Sequence, residues 1–301
     1  MSILLLAACG NQMNIPGTSP SHDMPPLCGY IKVPHPAAEQ SALFNTSVPA
    51  EKITVNKGEG ILISGYVTSN ATFMGEVMKP LAAPYIDSLR KMHPVESVNA
   101  LTLFVYESYL VYFGSDKYHT WDLYRWGGDL LDLDDPQEEG HRHEYRFGLD
   151  CSGFVSAPYE LAVDFGILRA EDEAAAFSSR GFAVYGKNHG IQDKGGRKGT
   201  SNRFRVDSSE MSRIGREIIS IEKGGVPEAD ALSKLQPGDV VTGPGHAGII
   251  ARARGELYYL EFGRTVIPLE GMIMTHAEEG LQQFARDYPL KVRRVLPDEA
   301  K

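Results

Sequence analysis

Hydrophobic positions along the chain change their spacing from helix-like to strand-like towards the C-terminal end. Within residues 98–113, apolar side chains recur every three or four positions, which predicts a buried helix. Residues 157–168 repeat this spacing and predict a second helix that begins near Cys151. Beyond residue 235, short runs rich in valine and isoleucine are separated by glycine and proline, a pattern typical of antiparallel strands. This order of elements predicts an α+β fold.

Two of the predicted strands are joined by a hairpin signal, with the strands at 246–252 and 256–262 and the turn at 254–255. If the turn has two residues, Gly248 lies opposite Glu261, and side-chain alternation places Glu261 on the same face as His246. A loop one residue longer or shorter reverses this parity and favours Tyr258 instead. We expect Glu261 beside His246, with an ordinary exposed strand carboxylate as the alternative interpretation of Glu261.

The N-terminal third of the chain has weaker patterns. Residues 52–55 and 61–67 predict a short pair of strands around a glycine-containing turn. Residues 10–40 are rich in proline, serine and asparagine and predict a flexible tether. We therefore expect four segments: a signal-like segment at 1–9, the tether at 10–40, a small region of unknown role at 41–96 and a main domain at 97–301.

Composition and charge limit the classes of partner. The chain has 301 residues, of which 42% are hydrophobic, enough for a globular protein that buries a core. Its 39 acidic and 30 basic residues give a formal net charge of −9, which argues against nucleic acid, anionic lipid and polyanionic wall polymer as electrostatically attracted partners. No apolar run reaches the about 18 residues that a transmembrane helix needs.

The segment Asp150-Cys151-Ser152-Gly153 supplies a candidate nucleophile. A cysteine at a helix N-terminus lies near unpaired backbone N–H groups and the positive end of the helix dipole, and both favour the thiolate. His246, at the start of a strand that follows a Gly-Pro-Gly turn, is a candidate base for the thiol proton. The two residues are far apart in sequence, but a nucleophile and its base need to meet only in space.

Another segment, residues 129–146, is dense in aspartate, glutamate and histidine and contains His141 and His143. A His-x-His pair with nearby carboxylates can bind zinc. Charge-dense loops are more often simply solvated, and a thiol mechanism needs no metal. We expect neither a metal nor any other cofactor.

Four motifs follow one another in the order of a known family: Tyr124-Arg125-Trp126-Gly127-Gly128, then 148–155 around Cys151, then Leu235-Gln236-Pro237-Gly238-Asp239, then the strand that opens with His246. In this the chain resembles the NlpC-type cysteine peptidases, which cut bacterial cell-wall peptides. The resemblance covers about residues 97–295 and implies a papain-like fold in which a helix carrying the cysteine packs on a small antiparallel sheet. Relative to that family, the chain has inserts near 129–147 and 175–234.

The resemblance also implies roles for individual residues. Cys151 would be the nucleophile, His246 the base and Tyr124 a hydroxyl donor near the developing oxyanion, while the family's third catalytic position admits an acid such as Glu261. Residues near the nucleophile would bind the stem peptide, namely Asp150, Ser152 and Trp126. The alternative for Asp150 and Ser152 is that they only cap the helix, and the alternative for Tyr124 is a core aromatic.

The implied substrate is the bond between γ-D-glutamate and the diamino acid of peptidoglycan stem peptides. Two alternatives stay open: another thiol amidase or acyl transferase, and a catalytically silent envelope protein that binds wall peptide. The segment Leu6-Ala7-Ala8-Cys9 resembles a bacterial lipobox, which implies lipidation of Cys9, a place in the cell envelope and membrane attachment only through that lipid. The apolar run before Cys9 is short and no positive residue precedes it, so the match is incomplete.

Overall fold

The computed structural model describes residues 53–56, 60–63, 66–68, 79–113, 149–191, 206–253, 255–264 and 270–299. These residues form helices and two antiparallel sheets, so the predicted α+β class is confirmed. The strands are β1 Ile53–Asn56, β2 Gly60–Ile63, β3 Tyr66–Thr68, β4 Arg216–Ile221, β5 Val240–Gly243, β6 His246–Ala253, β7 Glu256–Arg264, β8 Glu270–His276 and β9 Leu290–Arg294. The helices are α1 Lys79–Ala82, α2 Ile86–Leu89, α3 Pro94–Phe113, α4 Cys151–Asp164, α5 Ser179–His189, α6 Ser208–Met211, α7 Ala229–Leu232 and α8 Ala277–Asp287.

The N-terminal sheet has three strands in the order β1-β2-β3. The prediction of one strand over residues 61–67 was wrong, because this stretch belongs to two strands that pair with each other. Ile63 pairs with Tyr66, so only Ser64 and Gly65 separate them. Ser-Gly is a dipeptide that favours turns, a signal for two strands that lies within the β-rich run.

The main sheet has six strands in the order β4-β9-β5-β6-β7-β8, and every neighbouring pair is antiparallel. Alternate residues of β6 lie in two different cores. Ala247, Ile249 and Ala251 belong to the larger core together with α3 and α4. Ile250 belongs to a second core on the opposite face, which α8 covers with Leu281 and Phe284. The sheet is therefore packed between helices on both faces of its centre.

Helix α3 confirms the predicted helix, although it begins earlier, at Pro94, and it is buried over residues 100–106. Proline is favoured in the first turn of a helix because its missing N–H has no helical partner there. The expected domain boundary between residues 96 and 97 lies inside this first turn. Ala82 and Leu89, which precede the helix, also belong to the larger core.

The side-chain amide of Asn99 on α3 binds the backbone of Arg252 in β6. The Asn99 Nδ2 donates to the Arg252 carbonyl over 3.0 Å, and the Arg252 N–H donates to Asn99 Oδ1 over 2.7 Å. Strand β5 reaches only as far as the pair Val240–Ile249. The amide of Asn99 therefore satisfies the groups of β6 that extend past the end of β5.

The segment predicted as an insert at 175–234 contributes to the main fold. Its strand β4 pairs with β9 and forms one end of the main sheet. Its helix α5 buries Phe182 and Tyr185 in the larger core. The sequence gives no signal for these contributions, because none of the four motifs lies in this segment.

The Leu-x-Pro-Gly-Asp segment before β5 joins three elements. Gly238 has a φ of +84°, and its carbonyl accepts a 2.7 Å hydrogen bond from the buried Tyr159 hydroxyl of α4. Asp239 is fully buried and forms a two-point ion pair with Arg294 of β9, at 2.7 and 2.8 Å. The motif thus connects α4 to the sheet, which fixes the helix that carries Cys151.

Candidate active site

Cys151 is the first residue of α4, as predicted, and Asp150 is its N-cap. The Asp150 Oδ1 accepts hydrogen bonds from the Gly153 N–H at 2.8 Å and from the Ser152 hydroxyl at 2.9 Å. Both Asp150 and Ser152 are buried. These contacts assign the capping role that the sequence left open, and substrate binding by Asp150 and Ser152 stays a prediction.

His246 is brought next to Cys151 by the tight connection between β5 and β6. Gly243 pairs with His246, which leaves only Pro244 and Gly245 in the loop. Gly245 has a φ of +76°, and proline followed by a glycine with positive φ is the composition of a type II turn. The Gly245 carbonyl lies 4.0 Å from the Cys151 Sγ, so the turn itself borders the nucleophile.

The ring of His246 lies between Cys151 and Glu261. Its Nε2 forms a hydrogen bond with the Oε2 of Glu261, and the ring is close enough to the Cys151 thiol for each group to shift the pKa of the other. Side-chain exposure is 12% for His246 and 14% for Glu261, so solvent screens this contact little. The arrangement is a nucleophile, a base and an acid that orients the base.

The predicted register of the hairpin is confirmed. Ala253 pairs with Glu256 and Gly248 pairs with Glu261, as a two-residue turn requires. Tyr258, the alternative partner of His246, points to the other face, where its hydroxyl donates to Glu256 at 3.2 Å. Glu261 is therefore not an ordinary exposed strand carboxylate.

Electrostatics in the site favour an ion pair between thiolate and imidazolium. Burial alone raises the pKa of Cys151, but the hydrogen bond and charge of His246 and the backbone N–H groups of Ala247 and Ser152 bring it below its usual range. Burial alone lowers the pKa of His246, but its bonds to Cys151 and Glu261 and their negative charges raise it above its usual range. The two shifts have opposite directions because each charged form stabilises the other.

Tyr259 is a part of the site that sequence reasoning missed. Its hydroxyl donates to Glu261 Oε2 at 3.0 Å, and the residue is only 2% exposed. Strand alternation contains the signal that could have found it, since Tyr259 is two residues from Glu261 and faces the same side. Tyr258, the alternative that the hairpin parity offered, lies on the opposite face.

Phe284 of α8 was also missed. Its ring stacks on His246 with a centroid distance of 5.6 Å and an interplanar angle of 26°. Gly243, the strand partner of His246, makes this approach possible, because a Cβ there would lie 2.4 Å from the Phe284 ring. The imidazole of His246 is thus held by an aromatic face as well as by the bond to Glu261.

Several predicted site residues lie outside the described part of the chain, namely Tyr124, Trp126, Cys9 and the acidic segment 129–146. Among the described residues, no group of three or more histidine, cysteine or acidic side chains is arranged to hold a metal ion. None of the helices in the described ranges is both long and apolar enough to cross a membrane.

Comparisons with protein-family models, with curated proteins and with solved structures return no match for this chain. The interpretation of the site therefore rests on its own residues and their geometry. A buried thiol with a lowered pKa, a histidine with a raised pKa and an orienting carboxylate are together suited to attack on a carbonyl carbon, followed by proton transfer to the leaving group.

Proposed function

We propose that this protein is a cysteine hydrolase that cleaves a peptide or amide bond through an acyl-enzyme on Cys151. The observation that carries the proposal is the position of the His246 ring, which hydrogen-bonds to Glu261 and is close enough to Cys151 for the two groups to shift each other's pKa. A buried histidine needs only one such partner to be satisfied. A purely structural role gives no reason for the second partner to be a thiol at a helix N-terminus.

In the first half of the proposed reaction, the Cys151 thiolate attacks the carbonyl carbon of the substrate. The tetrahedral intermediate collapses when the C–N bond breaks, and the imidazolium of His246 donates its proton to the leaving amine. The products of this half are a free amine and a thioester on Cys151.

In the second half, neutral His246 takes a proton from water as the water oxygen attacks the thioester. The C–S bond breaks, the acid leaves, and the thiolate and imidazolium are restored. Glu261 keeps its bond to Nε2 throughout and stabilises the imidazolium whenever it forms. The bond therefore keeps the ring in one orientation, in which its other nitrogen can accept and donate the proton in each step.

For the substrate, we propose the stem peptide of peptidoglycan, cut between γ-D-glutamate and the diamino acid, on an NlpC-type papain-like fold. The support is the order of the four sequence motifs together with a cysteine helix packed on an antiparallel sheet. Within this proposal Tyr124 assists at the oxyanion, and Asp150, Ser152 and Trp126 contribute to the peptide site. Lipidation at Cys9 would attach the enzyme to the cell envelope.

Digestion of purified peptidoglycan and of defined stem peptides, with product identification by mass spectrometry, tests the proposal. The expected result is new amine and carboxyl ends at one bond, none of them with Cys151→Ala, and a trapped acyl group on Cys151 in the wild type. If wall fragments survive while other amides or esters acylate Cys151, the substrate class is wrong and the thiol chemistry stands. Unchanged hydrolysis by Cys151→Ala contradicts the mechanism itself.

Metabolic labelling with palmitate, compared between wild type and Cys9→Ser, tests the proposed lipidation separately.

A further inference from the structure

We propose that Tyr259 is a positioning residue of the active site: it holds the Glu261 carboxylate in the orientation that binds His246, so that four side chains form one chain of contacts ending at Cys151. This inference rests on the proposed function for its catalytic meaning. Its structural part, the control of thiolate formation at Cys151, is independent of any substrate.

The first support is that two donors share a single oxygen. Glu261 Oε2 is the atom bonded to His246 Nε2, and the same atom accepts the Tyr259 hydroxyl at 3.0 Å. A carboxylate that accepts two donors at one oxygen loses the freedom to rotate about its terminal torsion, which is otherwise broad. The Tyr259 hydroxyl therefore limits where the partner of His246 can be.

The second support is the space that two glycines leave for the Tyr259 ring. A Cβ on Gly248 would lie 2.3 Å from the ring carbon Cε2 and 2.6 Å from the hydroxyl oxygen. A Cβ on Gly280 of α8 would lie 2.6 Å from the opposite edge of the ring, at Cδ1. The ring crosses over β6 at Gly248, the residue directly paired with Glu261. The two glycines leave the space in which the ring brings its hydroxyl to the Glu261 carboxylate.

Any buried tyrosine hydroxyl requires a hydrogen-bond partner. The alternative interpretation is therefore that Glu261 only serves as this partner and that Tyr259 does not position it. Tyr258 provides the comparison within the same strand. Its hydroxyl binds Glu256 at 3.2 Å on the other face, and Glu256 bonds to neither His246 nor Cys151 in the described contacts. Each tyrosine binds a glutamate, but only the glutamate bound by Tyr259 also binds His246. This difference makes the two tyrosines a matched pair for experiment.

Few ionisable groups surround Tyr259 in the described part of the chain. Glu261 on its own strand is the nearest, and Cys151 on α4 is within electrostatic range. Of the other elements packed against the ring, β6 presents Gly248 and, at the shared Glu261 oxygen, His246, while α8 presents Gly280 and Phe284 and β8 presents Thr275; among these only His246 titrates. A change at the Tyr259 hydroxyl therefore reaches Cys151 mainly through Glu261 and His246.

The direction of the effect follows from this connection. Glu261 raises the pKa of His246, and the charge on His246 lowers the pKa of Cys151. Without the Tyr259 hydroxyl, Glu261 turns away from Nε2 for part of the time, the imidazolium is less stable, and the pKa of the thiol rises. Fewer enzyme molecules then carry the thiolate at neutral pH.

The test compares Tyr259→Phe with Tyr258→Phe in the full chain. The pH dependence of iodoacetamide alkylation at Cys151, followed by mass spectrometry, gives the thiolate fraction without a substrate. We expect the alkylation midpoint of Tyr259→Phe to move to higher pH, with about ten-fold slower alkylation on the acid side, and that of Tyr258→Phe to stay at the wild-type value. With a working substrate, kcat should fall by about ten-fold for Tyr259→Phe while KM changes less than about two-fold.

Phenylalanine keeps the ring that packs on Gly248 and Gly280, so the variant should fold, and thermal unfolding of both variants checks this. An alkylation profile of Tyr259→Phe equal to that of the wild type overturns the inference, whatever its stability. Equal displacement of both profiles also overturns it, because the effect would then not depend on Glu261. Hydrolysis that persists in Cys151→Ala removes the proposed function but leaves the alkylation result to decide the role of Tyr259.

Discussion

Gly248 and Glu261 are direct partners across strands β6 and β7, and this pairing places the Glu261 carboxylate diagonally beside His246. The strand partner of Glu261 on this face is Gly248, which has no side chain. A Cβ at position 248 would lie 2.3 Å from the ring of Tyr259, whose hydroxyl binds Glu261. The active geometry therefore depends on both the hairpin register and this glycine.

Glu261→Gln should narrow the pH range of activity from both sides. The thiolate is lost as pH falls through the lowered pKa of Cys151, and the imidazolium is lost as pH rises through the raised pKa of His246. Without the carboxylate charge, the acid limb of the kcat/KM profile should move up towards the ordinary thiol value and the alkaline limb down towards the ordinary imidazole value. We expect kcat to fall by about 10²-fold.

Glu256→Gln is the control for this variant, since it removes a carboxylate from the same strand but on the opposite face. Its profile should match that of the wild type. A Glu261→Gln enzyme with both limbs unmoved would mean that the acid does not act on His246 in solution.

Alkylation should single out Cys151 at neutral pH despite its burial. The residue is 3% exposed, which slows access of the reagent, but its pKa lies below the usual range. The rate should level off at a lower pH than it does for a model thiol, whose pKa is about 8.5. Mass spectrometry of the wild type and of His246→Ala measures this, and in His246→Ala the midpoint should rise. A wild-type midpoint at the model value argues against the ion pair.

Gly248→Ala should reduce activity through the Tyr259 ring. The new Cβ would meet that ring at 2.3 Å, so the ring must shift and its hydroxyl leaves Glu261. Overpacking of this kind costs about 1–3 kcal/mol of unfolding free energy, and we expect kcat to fall with it. Gly255→Asn is the control, because a Cβ at position 255 meets no atom within 4 Å and asparagine tolerates a positive φ. Denaturant melts and kinetics on the two variants should separate them, and equal activities would contradict the argument.

Arg294→Leu should be strongly destabilising. It leaves Asp239 fully buried without its ion-pair partner, which typically costs about 3–5 kcal/mol. Lys291→Ala on the same strand removes an exposed partner of Glu217 and should cost less than about 1 kcal/mol. Urea unfolding at neutral pH measures both changes. Similar values for the two variants would show that the connection between α4 and the sheet does not depend on the buried pair.

The sequence was sufficient to predict the cysteine at a helix start, the histidine at a strand start and the partner acid. These follow from local rules: a helix cap, a proline-glycine turn and the parity of a short hairpin. The hairpin register could be derived because only two parities were possible and one placed an acid beside His246. Tyr259 was predictable by the same parity, since it lies two residues from Glu261.

The parts that could not be predicted depend on contacts between distant segments. Phe284 reaches His246 only because α8 packs on the far face of the sheet, and nothing near either residue in the sequence indicates that pairing. Strand β4 joins β9 across about seventy residues of chain, and its own pattern is too short to show a partner. The Asp239–Arg294 ion pair is of the same kind, because a motif before β5 meets an arginine near the C-terminus.

The amide of Asn99, which binds the Arg252 backbone past the end of β5, has a consequence for how this protein can be shortened. A fragment that starts after α3 would keep every residue of the Cys151–His246–Glu261 site but leave the N–H and C=O of Arg252 in β6 without their Asn99 partners. Such an exposed strand edge recruits strands from other molecules. The smallest fragment in which this edge of β6 stays satisfied should therefore begin before Pro94, although α3 contributes no residue to the described site.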